Sequence, residues 1–348
     1  MNELNPIGLD GIDFVEFSSS EPEKLHQLFL DFGFSRTMRH RSKKIDLYVQ
    51  NDITFFLNRD PNSFGGEFTT LHGPCISSMG WRVENGKLAL DTACERGAEA
   101  AFMTDYSGCS NTFLPAIYGI GESVIYFVQG ASADRYSKMG FEPLVNPDRV
   151  MSKGFLSIDH LTNNVETGTM QKWADFYKDI FGFTEVRYFD IRGVQTGLTS
   201  YALKSPCGKF CIPINEAKED KSQINEYLRE YHGPGIQHLA FLTDDILASL
   251  DLLHGSSIET LDIDPDYYEE AFQRVKQVTE DKSRIQAHKV LVDGDENGYL
   301  LQIFTRNLVG PIFIEIIQRK NHYSFGEGNF KALFRSIERD QAKRGVFA

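Results

Sequence analysis

Three residues in the later part of this 348-residue sequence, His160, His238 and Glu315, carry side chains able to bind a metal ion, each within a short apolar, strand-like run. Each has a counterpart in an internal repeat. GIDFVEF (11–17) matches SIDHLTN (157–163), HGPCISSMGWRV (72–83) matches HGPGIQHLAFLT (232–243), and SVIYFVQ (123–129) matches IFIEIIQ (312–318). At the three positions the earlier copy has Phe14, Ser78 and Tyr126, so only the later copy is equipped to ligate. Taken singly, His160 or His238 is more simply read as a hydrogen-bonded core or surface residue. Glu315 is harder to set aside. In PIFIEIIQR, alternation puts Phe313, Glu315 and Ile317 on one face and Ile312, Ile314 and Ile316 on the other, so the strand reads as buried on both sides. A buried carboxylate must be protonated, paired with a cation or bound to a metal, because an uncompensated charge in the interior costs several kcal/mol. Arg319 lies too near along the same strand to be a good partner. Two imidazoles and one carboxylate form the facial ligand set of non-haem Fe(II) oxygenases. Zinc hydrolases also use two histidines and a glutamate, but with a helical HExxH string, which does not occur here. The other seven histidines read as structural or surface residues, with His72 and His232 at matching places in the repeat suggesting a shared turn role.

Around these positions stand uncharged polar side chains: Ser200, Asn215 in CIPINEA, Gln223 at the head of a helix-like segment, Gln237 directly before His238, and Gln302 in YLLQIFT. Alternation puts Leu300, Gln302 and Phe304 on one face, and places Gln237 on the face opposite His238 or in support of a neighbour. Such donors and acceptors suit a polar substrate whose charge a metal neutralises. They serve equally as residues satisfying backbone at strand ends. In SFGEGNFKALFRSIERDQAKRG, Gly326 and Gly328 supply a hinge, Asn329 a helix N-cap, and Phe330, Leu333, Phe334 and Ile337 recur at i, i+3, i+4 and i+7. Gly345 fits just past the helix end. The helix either covers a sheet or crosses the mouth of the site as a lid, with Phe325 and Phe330 facing inward.

The elements that must carry these residues follow from the repeat. Each copy opens on an alternating apolar strand, continues into a helix-like stretch ending in FGF (32–34 and 181–183), and returns through further strands. The order implies α+β modules with mostly antiparallel sheets curled around a space. A boundary is expected near residues 140–153, dividing the chain into 1–150 and 151–348. The 36 basic and 49 acidic residues leave a net charge of −13, which disfavours a nucleic-acid or anionic-membrane footprint. No apolar run approaches the ~20 residues that span a bilayer. The start MNELNPIGLD has neither a basic nor an apolar leader region, so the chain reads as cytoplasmic. Cys75, Cys94, Cys109, Cys207 and Cys211 are scattered and read as reduced thiols.

The strings IDHLTNNV, CIPINEA, GPGIQHLAF, KVLVDGDENGYLLQIFT, GPIFIEIIQR and FGEGNFKALFRSIE, in that order across residues 157–339, resemble the 4-hydroxyphenylpyruvate dioxygenase family of the vicinal-oxygen-chelate superfamily, close to its bacterial, legiolysin-like branch. The resemblance implies two domains of paired βαβββ modules forming open barrels, the first without metal and the second catalytic, with a C-terminal lid helix. It implies one Fe(II) per chain on His160, His238 and Glu315, with dioxygen as cosubstrate. It implies Phe304 and Phe330 as the rings flanking the substrate, and Ser200, Asn215, Gln223, Gln237 and Gln302 as the polar shell. Phe325 and Asn329 would belong to the lid. The implied reaction is oxidative decarboxylation, ring hydroxylation and side-chain migration, giving homogentisate and CO2 from 4-hydroxyphenylpyruvate in tyrosine and phenylalanine catabolism. The implied assembly is a homodimer or homotetramer. Hydroxymandelate synthase shares the ligands and substrate and is the nearest alternative. An extradiol ring-cleaving dioxygenase would need a further acid/base His or Tyr, and a metal-free binding protein of the same fold would lack the triad.

Overall fold

The computed structural model describes residues 3–106, 113–129, 134–193, 196–343 and 345. Two eight-stranded sheets account for its architecture. The first uses β1 (Leu9–Ser18), β2 (Ser35–His40), β3 (Ile45–Gln50), β4 (Ile53–Asn58), β5 (Cys75–Val83), β6 (Ala116–Tyr118), β7 (Val124–Gln129) and β8 (Phe141–Asp148). The second uses β9 (Phe155–Val165), β10 (Thr184–Arg192), β11 (Gly197–Lys204), β12 (Cys211–Ala217), β13 (Gly235–Thr243), β14 (Leu291–Asp295), β15 (Gly298–Phe304) and β16 (Phe313–Lys320). The second sheet runs in the order β10-β11-β12-β9-β13-β16-β15-β14 and is symmetric about the antiparallel β9–β13 pair, flanked by the parallel pairs β12–β9 and β13–β16. Two strand–helix–three-strand modules thus abut in one curled sheet, the expected α+β plan.

The first sheet breaks this symmetry. Its order is β6-β7-β5-β1-β4-β3-β2-β8, so β8 pairs with β2 at the far edge rather than completing the second module. The polar stretch 141–148, read from sequence as part of a boundary, is therefore an edge strand. Its one buried end and exposed, proline-interrupted remainder conceal the strand signal.

Helices form where capping and apolar spacing agree. α1 (Pro22–Asp31) starts on a proline and buries Leu25, Leu28 and Phe29. α2 (Phe64–His72) is capped by Ser63, and α3 (Gly86–Glu95) by Asn85. A short turn, α4 (Arg135–Lys138), precedes β8. In the second half come α5 (Met170–Asp175), α6 (Gln223–Tyr231) capped by Ser222, and α7 (Ile246–Leu253) capped by Asp245. They are followed by α8 (Asp266–Arg274), α9 (Lys282–Ala287) and the terminal α10 (Phe330–Lys343). Among the described residues no helix is long and apolar enough to cross a membrane. Cys75, Cys94, Cys207 and Cys211 are free thiols.

One apolar core runs through both halves. Phe241 of β13 packs against Phe34 and Phe55 at 5.8 and 5.9 Å, and Trp81 of β5 inserts among Tyr177, Phe181, Phe183 and Phe210. The opposite face of each sheet lines its own cup. In the first half that cup is filled: Phe14 stacks on Phe56 at 4.1 Å, with Tyr106, Tyr126 and Phe141 around them. Beside them the buried Glu16 carboxyl accepts hydrogen bonds from Asn58 Nδ2 (2.7 Å), Ser78 Oγ (2.5 Å) and Tyr106 Oη (2.7 Å). His72 and His232 do not share a turn role. His72 is the buried last residue of α2 with Nδ1 2.6 Å from the Tyr231 carbonyl, whereas His232 itself takes the left-handed position that ends α6.

Candidate metal centre and cavity

The centre is built on three adjacent strands. β13 lies between β9 and β16, and its Ala240 pairs with His160 on one side and with Glu315 on the other. Because Ala240 is small, the two longer side chains meet above it, and His238, two residues along the same strand, joins them from the same face. His160 Nε2 lies 3.1 Å from Glu315 Oε2 and 3.3 Å from His238 Nε2, and His238 Nε2 lies 3.4 Å from Glu315 Oε2. All three side chains are nearly withdrawn from solvent. In the first half the residue between Phe14 and Tyr126 is Gly80, and a Cβ there would meet the Phe14 ring at 2.4 Å. The same cradle is thus occupied by a benzene ring in one half and by three donor atoms in the other.

Both imidazoles are oriented from behind. His160 Nδ1 is 2.8 Å from Asp159 Oδ2, and Arg319 grips that carboxylate with two hydrogen bonds of 2.7 Å. His238 Nδ1 is 3.1 Å from Gln237 Oε1, and its ring stacks on Phe313 at 4.8 Å. An oxygen acceptor at Nδ1 selects the tautomer that aims the Nε2 lone pair at the centre. Burial alone would push the Glu315 carboxyl up, but the two histidines hold it down, to about 2. Burial likewise disfavours a charged His160, yet the Glu315 charge and the bond to Asp159 raise it to about 9, while burial and the neighbouring His160 lower His238. The arrangement therefore favours positive charge at its centre, and a cation bound there would displace a proton from His160.

The spacing fits a metal ion. Donors about 2.1 Å from one ion and at right angles to one another lie about 3 Å apart, close to the three observed separations. Among the described residues no lysine or arginine forms a hydrogen bond or ion pair with Glu315, and the donors are two nitrogens and one oxygen. That set and its single-faced arrangement suit an octahedral ion with further positions toward the cavity.

The cavity above the triad is lined by Ser200, Asn215, Gln223, Gln237, Gln302, Phe304, Phe325 and Phe330. Ser200 and Asn215 are cross-strand partners on β11 and β12. Gln223 opens α6, and Gln302 and Phe304 alternate along β15. Gln237 departs from the alternation expected for it, since it faces the cavity together with His238. The reason is a register shift in the β13–β9 ladder, where Ile236 pairs with Asn163 and His238 with Thr162, leaving Gln237 as the extra residue of a bulge. The buried Gln302 Oε1 has no hydrogen-bond partner among the described residues, which marks it for a donor brought by a ligand.

Phe330, Leu333, Phe334 and Ile337 of α10 all contribute to the cavity wall, so the helix lies across the mouth as a lid. Asn329 is not part of that wall. It is fully buried, and its side-chain oxygen lies 2.6 Å from the Tyr267 hydroxyl, so it anchors the hinge to α8 instead of capping α10 through its side chain. Gly345 follows the helix with φ +81°, as its position suggests. The sequence does not mark out Asp159 or Phe189, and it raises Arg319 only as a poor partner for Glu315, whereas the structure seats Arg319 on Asp159. Phe189 packs edge-on against Phe330 at 5.5 Å, and with Ile191 it forms the buried alternation of an otherwise exposed strand, a signal that was available.

Comparison with known proteins accords with this geometry. Residues 4–142 match the family described as hydroxyphenylpyruvate dioxygenase, HPPD, N-terminal, and residues 157–303 match the glyoxalase/bleomycin resistance protein/dioxygenase superfamily. The chain is 58% identical to protein MelA of Shewanella colwelliana, over 99% of both chains. It is 44% identical to the 4-hydroxyphenylpyruvate dioxygenase of Legionella pneumophila subsp. pneumophila, again over 99% of both. A solved xylose isomerase-like TIM barrel/4-hydroxyphenylpyruvate dioxygenase fusion protein superposes with a TM-score of 0.81 at 28% identity, covering 96% of this chain and 54% of the fusion. The asymmetric pair of curled sheets, one cup filled and the other holding the triad, together with full-length identity of this order, establishes that the chain belongs to the 4-hydroxyphenylpyruvate dioxygenase family of the vicinal-oxygen-chelate superfamily.

Proposed function

We propose that this protein is an Fe(II)-dependent dioxygenase that converts 4-hydroxyphenylpyruvate to homogentisate and CO2, a step of tyrosine and phenylalanine breakdown in the cytoplasm. The observation that carries the reading is the convergence of His160, His238 and Glu315 within 3.4 Å beneath a cavity of phenylalanines and amides. In this reading residues 151–348 hold the chemistry and 1–150 serve as scaffold. His160, His238 and Glu315 would hold one iron beneath the cavity. The iron supplies the redox chemistry with dioxygen and neutralises the substrate's 2-oxo acid. Asp159 and Gln237 keep the two imidazoles aimed. Phe304 and Phe330 confine the aromatic ring from β15 and the lid, while Ser200, Asn215, Gln223 and Gln302 offer neutral partners to its phenol. Leu333, Phe334 and Ile337 close the mouth with apolar groups and exclude water.

Anaerobic reconstitution with Fe(II), followed by oxygen uptake with 4-hydroxyphenylpyruvate and identification of the aromatic product, tests this. One iron per chain and homogentisate are expected. Hydroxymandelate as product would overturn the outcome assigned to the cavity, and no uptake would overturn the activity. In the same assay His160→Ala and Glu315→Ala fold but lose iron and turnover; full activity of either purified, metal-stripped variant would refute the ligand assignment.

A further inference from the structure

Arg319 has two sets of partners. Its Nε donates to Asp159 Oδ1 and its Nη2 to Asp159 Oδ2, both at 2.7 Å, and that carboxylate faces His160 Nδ1. Its remaining nitrogen, Nη1, donates to two backbone carbonyls in the segment that leads from β16 to the lid, those of His322 (3.1 Å) and Ser324 (2.6 Å). The guanidinium also lies over the Phe325 ring, 5.8 Å from its centre, and Phe325 stands edge-on to the His160 imidazole at 5.4 Å. Arg319 therefore reaches His160 by two routes, through Asp159 and through Phe325 of the lid segment. The side chains of Arg319 and Asp159 are only 10% and 13% exposed, so neither charge is held by water. A planar guanidinium makes all four of these bonds at once, whereas an ammonium has only three N–H donors.

We infer that Arg319 is a positioning residue that couples the orientation of the His160 imidazole to the seating of residues 321–326, so that metal binding and lid closure strengthen each other. The inference rests on the metal-centre reading above and adds to it a link between two regions of the chain. By linkage, whatever the seated segment contributes to metal affinity, the bound metal returns to the seating of the segment.

The test uses the full chain with Co(II) as a spectroscopic probe of the site. Affinity is measured against a competing chelator, and seating is measured by limited chymotrypsin cleavage at Tyr323 and Phe325, of which Tyr323 is well exposed. In the wild type, one Co(II) per chain slows cleavage severalfold. In Arg319→Lys, affinity falls by about ten- to a hundredfold and saturating Co(II) no longer protects the segment. In Asp159→Asn, affinity falls comparably while protection at saturation persists, because the carbonyl contacts of Arg319 remain. Wild-type affinity in Arg319→Lys, or lowered affinity with protection intact, would overturn the coupling while leaving the metal centre standing. Should Arg319→Lys fail to fold, unchanged affinity in Asp159→Asn would overturn it equally. A wild type that binds no Co(II) would remove the metal-centre reading and the coupling with it.

Discussion

Ala240 decides whether three donor atoms can meet. It lies on the central strand directly between His160 and Glu315, and its Cβ is all that separates them from the backbone. Ala240→Leu would push a branched side chain into the space where the donors converge. Overpacking of this kind costs about 1–3 kcal/mol, which the shared core can bear. A folded protein with severely reduced metal stoichiometry is the expected result, checked by circular dichroism and metal analysis; normal metal content would contradict the packing argument. Glu16 poses the opposite problem in the filled cup. Burial first, and the nearby Asp105 charge second, raise its carboxyl above the ordinary 4.5 despite three donors. A raised carboxyl binds its proton more tightly in the folded state, so folding gains from protonation. The wild type should therefore gain stability relative to Glu16→Gln as pH falls toward the ordinary carboxylate range, and lose that gain as pH rises. Thermal melts of the two proteins across this range check the sign, and a pH-independent difference would show that the carboxyl does not titrate there.

At the scale of elements, the lid is held by its hinge as much as by its apolar face. Gly326 adopts φ +80°, and a Cβ there would lie 2.2 Å from Gln302 Oε1. Gly326→Ala adds left-handed strain of about 1–2 kcal/mol and drives the hinge away from an amide that lines the cavity. Small misplacements of positioning groups cost up to about a hundredfold in rate, so kcat/KM should fall ten- to a hundredfold with iron content unchanged. Steady-state kinetics beside metal analysis separate the two effects, and wild-type kcat/KM would show that the hinge tolerates displacement. The bulge in β13 is the other element-scale device. By inserting one residue it turns both Gln237 and His238 to the cavity, placing a candidate ligand and its support at consecutive positions.

At the scale of the molecule, the two halves share a core and cannot be treated as beads on a string. Trp81, from the half that lacks the triad, is fully buried against Phe181 at 5.0 Å and against Phe210 at 6.0 Å in the other half. Trp81→Ala should cost about 3–5 kcal/mol and lower the melting of the whole chain in a single transition. Calorimetry tests this; two separate transitions, with the later half unmoved, would show that the halves are energetically independent.

The repeat, the alternation of its strands and the contrast of Phe14, Ser78 and Tyr126 with His160, His238 and Glu315 are all local properties of the chain. Side-chain type and period 2 or 3.6 spacing suffice to read them. The apolar spacing of α10 and the glycines before it belong to the same class. Other features depend on which strands become neighbours. The bulge that redirects Gln237 exists only relative to β9, and the edge pairing of β8 only relative to β2. Asn329 turns to Tyr267 because α8 packs beside the hinge, and Arg319 meets Asp159 because β16 and β9 both flank β13. Composition and periodicity act along the chain and so settle which residues are able to bind a metal. Register and burial act across it, and these alone decide that three such residues meet at one point, with an arginine behind them reaching toward the lid.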